Sequence, residues 1–193
     1  VQLFLRFFTS IQGGRVLELG CGAGVNEDFI VNRMGFEYFG IDASQSAINE
    51  AKRTRKGTYQ CGDFTMEQPF GDGFDVIFDR ASISHNDTES IKRTIALVYA
   101  SLKRGGIFIG CDWFSTNHSE ACFGDLVDDR TRTNYSDGQF RSIGKVHFTD
   151  PGEISSLFSG FSLVAINERI TTYPVTGDNK WRVKYNWIST RFQ

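Results

Sequence analysis

At 193 residues, 40% hydrophobic and 14% aromatic, the chain is long enough for one well-packed domain and short for two. A formal net charge of -2, with its 21 lysines and arginines scattered along the chain, gives no basic footprint for a phosphate backbone, so nucleic acid is not expected as a partner. Cys21, Cys61, Cys111 and Cys122 form no CxxC pair and no regular spacing, which reads as reduced thiols in a cytoplasmic protein; no apolar run reaches the roughly 18 residues that a membrane span needs.

The opening VQLFLRFF is apolar but short and interrupted by Arg6, which reads as an amphipathic helix over about 2–10 rather than a leader. Apolar runs and helix-period segments then alternate. Strands are expected at about 15–20, 37–42, 57–61, 74–79 and 105–112, and helices at about 25–34, 44–55 and 88–102, the order of a doubly wound α/β sheet. After Asp112 the pattern breaks, and 113–148 reads as an inserted cap or loop without sustained period. A short helix follows from Pro151 to Phe158, then strands at about 161–172 and 181–190, whose tight connection YPVTGDN makes them an antiparallel pair. The whole is read as one domain over 1–193: a ligand-binding half over 1–112, the 113–148 insertion as a lid, and a C-terminal helix and strand pair over 149–193.

The stretch VLELGCGAGVN, Val16 to Asn26, puts a glycine-rich turn directly after the first strand. Gly20, Gly22 and Gly24 remove side chains so that backbone can approach a ligand, and the helix behind them offers free N–H groups. A dinucleotide fingerprint requires G-x-G-x-x-G, whereas Val25 stands where its last glycine or alanine would be. Asp42, closing the second strand 22 residues after Gly20, is placed to accept hydrogen bonds from both hydroxyls of a ribose. Asp63, in QCGDFTM, can accept from an adenine amino group while Phe64 offers a backbone N–H and an apolar ring. Glu18 can help hold a cationic group. Ribose, adenine and a positive charge describe S-adenosylmethionine better than a dinucleotide.

Five segments in order, ELGCGAG, FGIDAS, GDF, FDVIFDRASISHN and LKRGGIFIG, resemble the motifs of class I S-adenosylmethionine-dependent methyltransferases of the small-molecule kind, over roughly residues 14–112. The resemblance implies a seven-stranded, mostly parallel sheet with its last strand antiparallel. It also implies that Glu18, Gly20, Cys21, Gly22 and Gly24 hold the methionine moiety, Asp42 and Ala43 the ribose, and Asp63 and Phe64 the adenine. Asp79 and Arg80 would lie beside the methionine end and the acceptor. The chain reads DRAS after the fourth strand, not the Asn/Asp-Pro-Pro-Tyr/Phe motif of enzymes that methylate amino groups of DNA and protein, so exocyclic DNA bases are not expected. The implied activity is transfer of a methyl group to a small-molecule oxygen or nitrogen. The alternatives are a catalytically silent cofactor-binding partner with the same fold, a nicotinamide oxidoreductase and an aminopropyl transferase.

Candidates for acid–base work are His85 after the fourth strand, His147 where the insertion returns to the sheet, and Asp112 at the end of the fifth strand. His85 can equally begin a turn into the helix that Asn86 or Asp87 caps. His118 is expected to face solvent. Trp113 and Phe114 read either as acceptor-pocket walls or as core. DLVDDR reads as a solvated helical face rather than a metal site, and KWRVKYNW as a half-buried strand rather than a nucleic-acid surface.

Overall fold

Strands β1 (Gly14–Leu19), β2 (Phe36–Asp42), β3 (Thr58–Cys61), β4 (Phe74–Arg80) and β5 (Leu102–Ser115) lie parallel in the order β3-β2-β1-β4-β5. The computed structural model describes residues 13–172 and 181–191; the expected helix over 2–10 and the turn at 173–179 lie outside them. Strand periodicity divides the side chains between two faces. Leu17, Leu19 and Ile77 pack with Ile91, Ile95 and Val98 of α3 (Thr88–Ser101) and Ile154 of α4 (Pro151–Leu157). Val16, Val76 and Phe78 pack with Ile30 of α1 (Glu27–Met34) and Ile48 of α2 (Gln45–Thr54).

Helix starts follow their capping residues. Ser44, Asp87 and Asp150 each accept the backbone N–H three residues on, at 3.3, 2.9 and 2.8 Å. Asn26 does not cap α1, although it stands at the cap position, because its amide is used elsewhere (below).

β9 (Phe161–Thr172) and β10 (Trp181–Arg191) complete the sheet, with β10 antiparallel to both β5 and β9. These seven strands match the expected ones, but the sheet has ten among the described residues. The additional three are β6 (Asp125–Leu126), β7 (Thr131–Thr133) and β8 (Val146–Thr149), all from the segment that carries no sequence period. Strands of two to four residues are too short for alternation to show, and β8 is buried at every position, so it has no polar face to alternate with. DLVDDR is therefore the turn of a β-hairpin, not a helical face. Asp128 shapes it by accepting the N–H groups of Arg130 and Thr131 at 2.9 and 2.8 Å, and ties it to α3 by accepting from Thr88 N–H at 2.9 Å. Burial opposes the Asp128 charge, but these backbone donors outweigh it and hold the carboxyl at about 2.

β5 also runs three residues beyond its expected end. Phe114 pairs with Phe148 of β8 on one side and with Lys184 of β10 on the other. β8 therefore takes the place beside β5 that β4 vacates after Arg80, which brings the inserted hairpin over the carboxyl end of β4. A second small core of Phe114, Tyr135, Phe140, Val146 and Phe148 holds it there.

Trp113 is fully buried, edge-on to Trp187 with ring centroids 4.4 Å apart, and Gly110 is required beneath it because a Cβ there would meet the Trp187 ring. No helix among the described residues is long and apolar enough to cross a membrane.

Candidate functional site

The first strand ends in a loop whose shape is set by three glycines with positive φ: Gly20 at 70°, Gly22 at 53° and Gly24 at 69°. Gly20 N–H and Cys21 N–H both donate to the Ile41 carbonyl, at 2.8 and 3.1 Å, which pins the loop to β2. Each glycine meets something different. A Cβ at Gly20 would overlap Ser82, one at Gly24 would lie 2.6 Å from the Tyr59 hydroxyl, and one at Gly22 would project into open space. Gly22 is thus where the loop leaves room for a ligand.

Asp42 stands beside that opening. Its Oδ2 accepts from Gly22 N–H and its Oδ1 from Ser44 N–H, both at 2.8 Å. Each oxygen keeps a further lone pair, so the carboxylate can serve the loop and a pair of ligand hydroxyls together. Ala43 follows it, exposed, its carbonyl accepting from the Cys61 thiol at 3.5 Å. Asp63 is exposed at the next strand end; its Oδ1 accepts from Thr65 N–H at 2.8 Å, which is the turn chemistry of a Gly-Asp loop. The Phe64 ring reaches within 3.7 Å of where a Gly20 Cβ would stand, forming an apolar wall between loop and turn. An open glycine, flanking carboxylate acceptors and an aromatic wall could together receive a ligand that carries hydroxyls and a flat ring.

Glu18 lies one layer deeper, 2% exposed. Asn26 Nδ2 donates to its Oε1 at 2.7 Å, and the Tyr38 hydroxyl donates to its Oε2. Burial raises its carboxyl to about 7, against the pull of those two donors and of Arg80. Burial and the Glu18 carboxylate in turn push the Tyr38 phenol up. Tyr38 and Asn26 hold the Glu18 carboxyl, a place that sequence reasoning did not assign them. Tyr38 carried no signal beyond an inward position on β2, whereas Asn26 stood at a cap position with a second acceptor in reach.

Two residues expected at the cofactor have buried side chains. The Cys21 side chain, 3% exposed, packs beneath the loop against Gly40, leaving only its backbone on the ligand side. Asp79 is completely buried because β4 turns its odd-numbered side chains toward α3. Its Oδ1 accepts from Ser82 N–H at 2.8 Å and Ile83 N–H at 3.0 Å, and its Oδ2 accepts from the Trp113 indole at 2.6 Å. Burial raises the Asp79 carboxyl to about 7. It shapes the turn after β4; Arg80, on the opposite face, is exposed.

That turn is strained. Ala81 has φ of 65° and Asp112 φ of 60°, and they are neighbours, since Ala81 N–H donates to the Cys111 carbonyl at 2.8 Å. Asp112 sits at a β-bulge, where β5 advances from Gly110 to Trp113 while β10 advances only from Trp187 back to Tyr185. The bulge returns Trp113 to the α3 side and lets Asp112 pair with Arg169 at 2.6 Å.

The histidines separate sharply. His85 occupies a single 3-10 turn, Ile83–His85, with Asp87 as the cap of α3 behind it. Its Nδ1 lies 3.1 Å from the Lys145 carbonyl, which can only accept, so Nδ1 carries the proton and Nε2 keeps its lone pair. No partner for Nε2 is found among the described residues. Burial, and Lys184 nearby, lower its pKa. His147, by contrast, is 0% exposed, with Nδ1 3.0 Å from Thr131 Oγ1 and Nε2 3.2 Å from Glu153 Oε2. With both nitrogens engaged it binds β7, β8 and α4 together and has none left for a substrate. His118 is also buried, not solvent-facing; its Nδ1 accepts from Glu120 N–H at 3.1 Å and burial lowers it to about 4.

A sequence profile for a methyltransferase domain matches residues 16–106, the stretch that builds the glycine loop and its flanking carboxylates. The match covers a little under half of the chain, 91 of its 193 residues. An S-adenosylmethionine-dependent methyltransferase of Methanosarcina mazei superposes on this chain with a TM-score of 0.77 at 16% identity, over 94% of this chain and 93% of that one. One from Clostridium acetobutylicum gives 0.70 at 15% identity, over 100% and 89%. Among curated relatives, a rice 24-methylenesterol C-methyltransferase 2 is 27% identical over 54% of this chain and 30% of its own length. An O-methyltransferase, resE, of Aspergillus sclerotiorum is 33% identical over 41% and 33%. The chain thus spans about a third of the length of the curated relatives it matches. S-adenosylmethionine is the cofactor that these solved neighbours share.

Proposed function

We propose that the protein transfers the methyl group of S-adenosylmethionine to an oxygen or nitrogen of a small molecule, and that the segment over 113–148 closes the acceptor side. Bound cofactor supplies a methyl group already activated by its sulfonium, so the chain's tasks are alignment, exclusion of water and, for a hydroxyl acceptor, removal of a proton. Gly22 and Asp42 hold the adenosine end at the mouth of the loop, with Asp63 and Phe64 at its far side. Glu18, behind the loop, supplies negative potential toward a cationic ligand.

On the acceptor side the reading rests chiefly on one observation: the His85 tautomer. With Nδ1–H spent on the Lys145 carbonyl and the ring kept neutral by burial, Nε2 is in the state a general base needs at neutral pH. Asp112, bound to Arg169, organises the bulge instead of accepting a proton, and His147 has no free nitrogen for the role.

The test is turnover of S-adenosylmethionine against a panel of small hydroxylated and amino metabolites, read as S-adenosylhomocysteine formed. A hydroxyl acceptor is expected to be methylated, with His85→Gln lowering kcat by about 10²–10⁴-fold. Full activity of that variant at every pH would remove His85 as base. Binding of S-adenosylhomocysteine without methylation of any panel member would favour a silent cofactor-binding module.

A further inference from the structure

Asp79 takes no part in the proposed chemistry, yet it stands between the glycine loop and His85. It is completely buried and accepts three hydrogen bonds. Its Oδ1 takes Ser82 N–H and Ile83 N–H, at 2.8 and 3.0 Å. These donors open the 3-10 turn that ends in His85, where no carbonyl within the turn can reach them. Its Oδ2 takes the Trp113 indole N–H at 2.6 Å, which fixes β5 one residue before Phe114.

From that carboxyl group the turn runs out to both sides of the site. Toward the glycine loop, Ser82 Oγ donates to the Gly20 carbonyl at 3.3 Å. Toward the other side, His85 N–H donates to the Ser82 carbonyl at 3.1 Å, and Asn86 Nδ2 closes the turn on the Ser82 and Ile83 carbonyls at 3.2 and 3.1 Å. The His85 ring is then set between two fixed neighbours. Its Nδ1 meets the Lys145 carbonyl at 3.1 Å, and it stands edge-on to Phe114 with ring centres 5.7 Å apart. Ala81 and Asp112 hold a left-handed φ that costs a non-glycine residue energy and persists only where the surroundings impose it. Asp79 bonds to the residue that follows each of them, Ser82 and Trp113.

We infer that Asp79 is a positioning residue for His85: one carboxyl oxygen sets the turn that carries the ring, and the other sets the strand that carries its neighbour Phe114. The ring thereby keeps its Nδ1–H on the Lys145 carbonyl and its Nε2 lone pair for an acceptor. This deepens the reading of His85 as base and rests on it. The arrangement needs two acceptor oxygens. An amide has one, so Asp79→Asn sets an NH2 either against the indole N–H or against the two backbone N–H groups, donor against donor.

The experiment is long-range proton–nitrogen correlation NMR of the histidine rings in the whole 15N-labelled protein at neutral pH, which needs no acceptor. Wild type is compared with Asp79→Asn, and His85→Gln assigns the His85 signals among the three histidines. Wild-type His85 is expected to show Nδ1 protonated and Nε2 bare. In Asp79→Asn its Nε2–H form is expected to rise several-fold, while His147, held by Thr131 and Glu153, keeps its signals. Trp113→Phe, which removes only the Oδ2 donor, is expected to move His85 the same way by less. In the acceptor panel, Asp79→Asn is expected to lower kcat about tenfold or more alone and to add nothing in the His85→Gln background.

Unmoved His85 signals in folded Asp79→Asn would overturn the inference. So would equal shifts in all three histidines, an equal loss of kcat in both backgrounds, or failure of both Asp79→Asn and Trp113→Phe to fold, each of which makes Asp79 a residue of general stability. Wild-type His85 protonated at Nε2 would instead sink the reading of His85 as base, which keeps the two failures distinct.

Discussion

The glycine-loop side and the proposed acceptor side of this molecule are built on different plans. On the cofactor side, backbone does the positioning: three glycines with positive φ, a bifurcated bond to the Ile41 carbonyl and an Asp42 carboxylate clasping Gly22 N–H. On the acceptor side, side chains do it, with Phe114 gathering His85, Lys184 and the inserted hairpin around one ring. Backbone sites need particular residues at particular spacings, so they leave a mark in sequence. Side-chain clusters drawn from distant elements do not, and they can change from one family member to another without disturbing the sheet.

That contrast can be broken most forcefully at Gly20. Substitution by alanine puts a Cβ into Ser82 and forces a left-handed non-glycine residue, costing about 1–2 kcal/mol for the backbone and about 1–3 for the overlap. Urea unfolding should show a loss in that range together with loss of S-adenosylhomocysteine binding. An unchanged midpoint would mean that the loop is not backbone-determined.

A smaller effect should sharpen the comparison through pH. The Glu18 carboxyl, raised to about 7 by burial, is largely protonated at pH 6 in the free protein. A cationic ligand favours its ionised form and lowers that pKa, so binding releases a proton and strengthens as pH rises through 7. Affinity for S-adenosylmethionine, which carries the sulfonium charge, should fall by up to about tenfold from pH 7 to 6, and Glu18→Gln should flatten the profile. Equal pH dependence in the variant would assign the effect to another group.

The smallest effect concerns the strained turn between the two sides. Ala81→Gly relieves a left-handed alanine at φ of 65° and is expected to raise stability by about 1 kcal/mol, measured as a shift in urea midpoint. Destabilisation would show that φ is not the source of strain there.

Legibility followed the same division. The parallel strands, the helices between them, a helix cap at Asn86 or Asp87 and the antiparallel last strand could be read from alternation and turn residues, and the structure settles the cap on Asp87. The hairpin over 125–133 could not, because its strands are too short to show a period and its turn is set by Asp128 bonding to backbone. Asp42 and Asp63 were visible as acidic residues at strand ends. Asp79 looked equivalent, and only the strand's facing shows that it serves Ser82, Ile83 and Trp113. His147 and His118 were indistinguishable from His85 in sequence, since a histidine's neighbours in the chain do not reveal whether both ring nitrogens are already taken.

The central claim is that the loop from Gly20 to Gly24, with Asp42, holds S-adenosylmethionine, and calorimetric titration of S-adenosylhomocysteine into the wild-type protein and Asp42→Ala, with NAD as the control ligand, tests it most directly. The structure predicts saturable binding that weakens by about tenfold or more when the carboxylate is removed, and no heat from NAD. Binding of NAD in preference, or S-adenosylhomocysteine binding that is indifferent to Asp42, would contradict it.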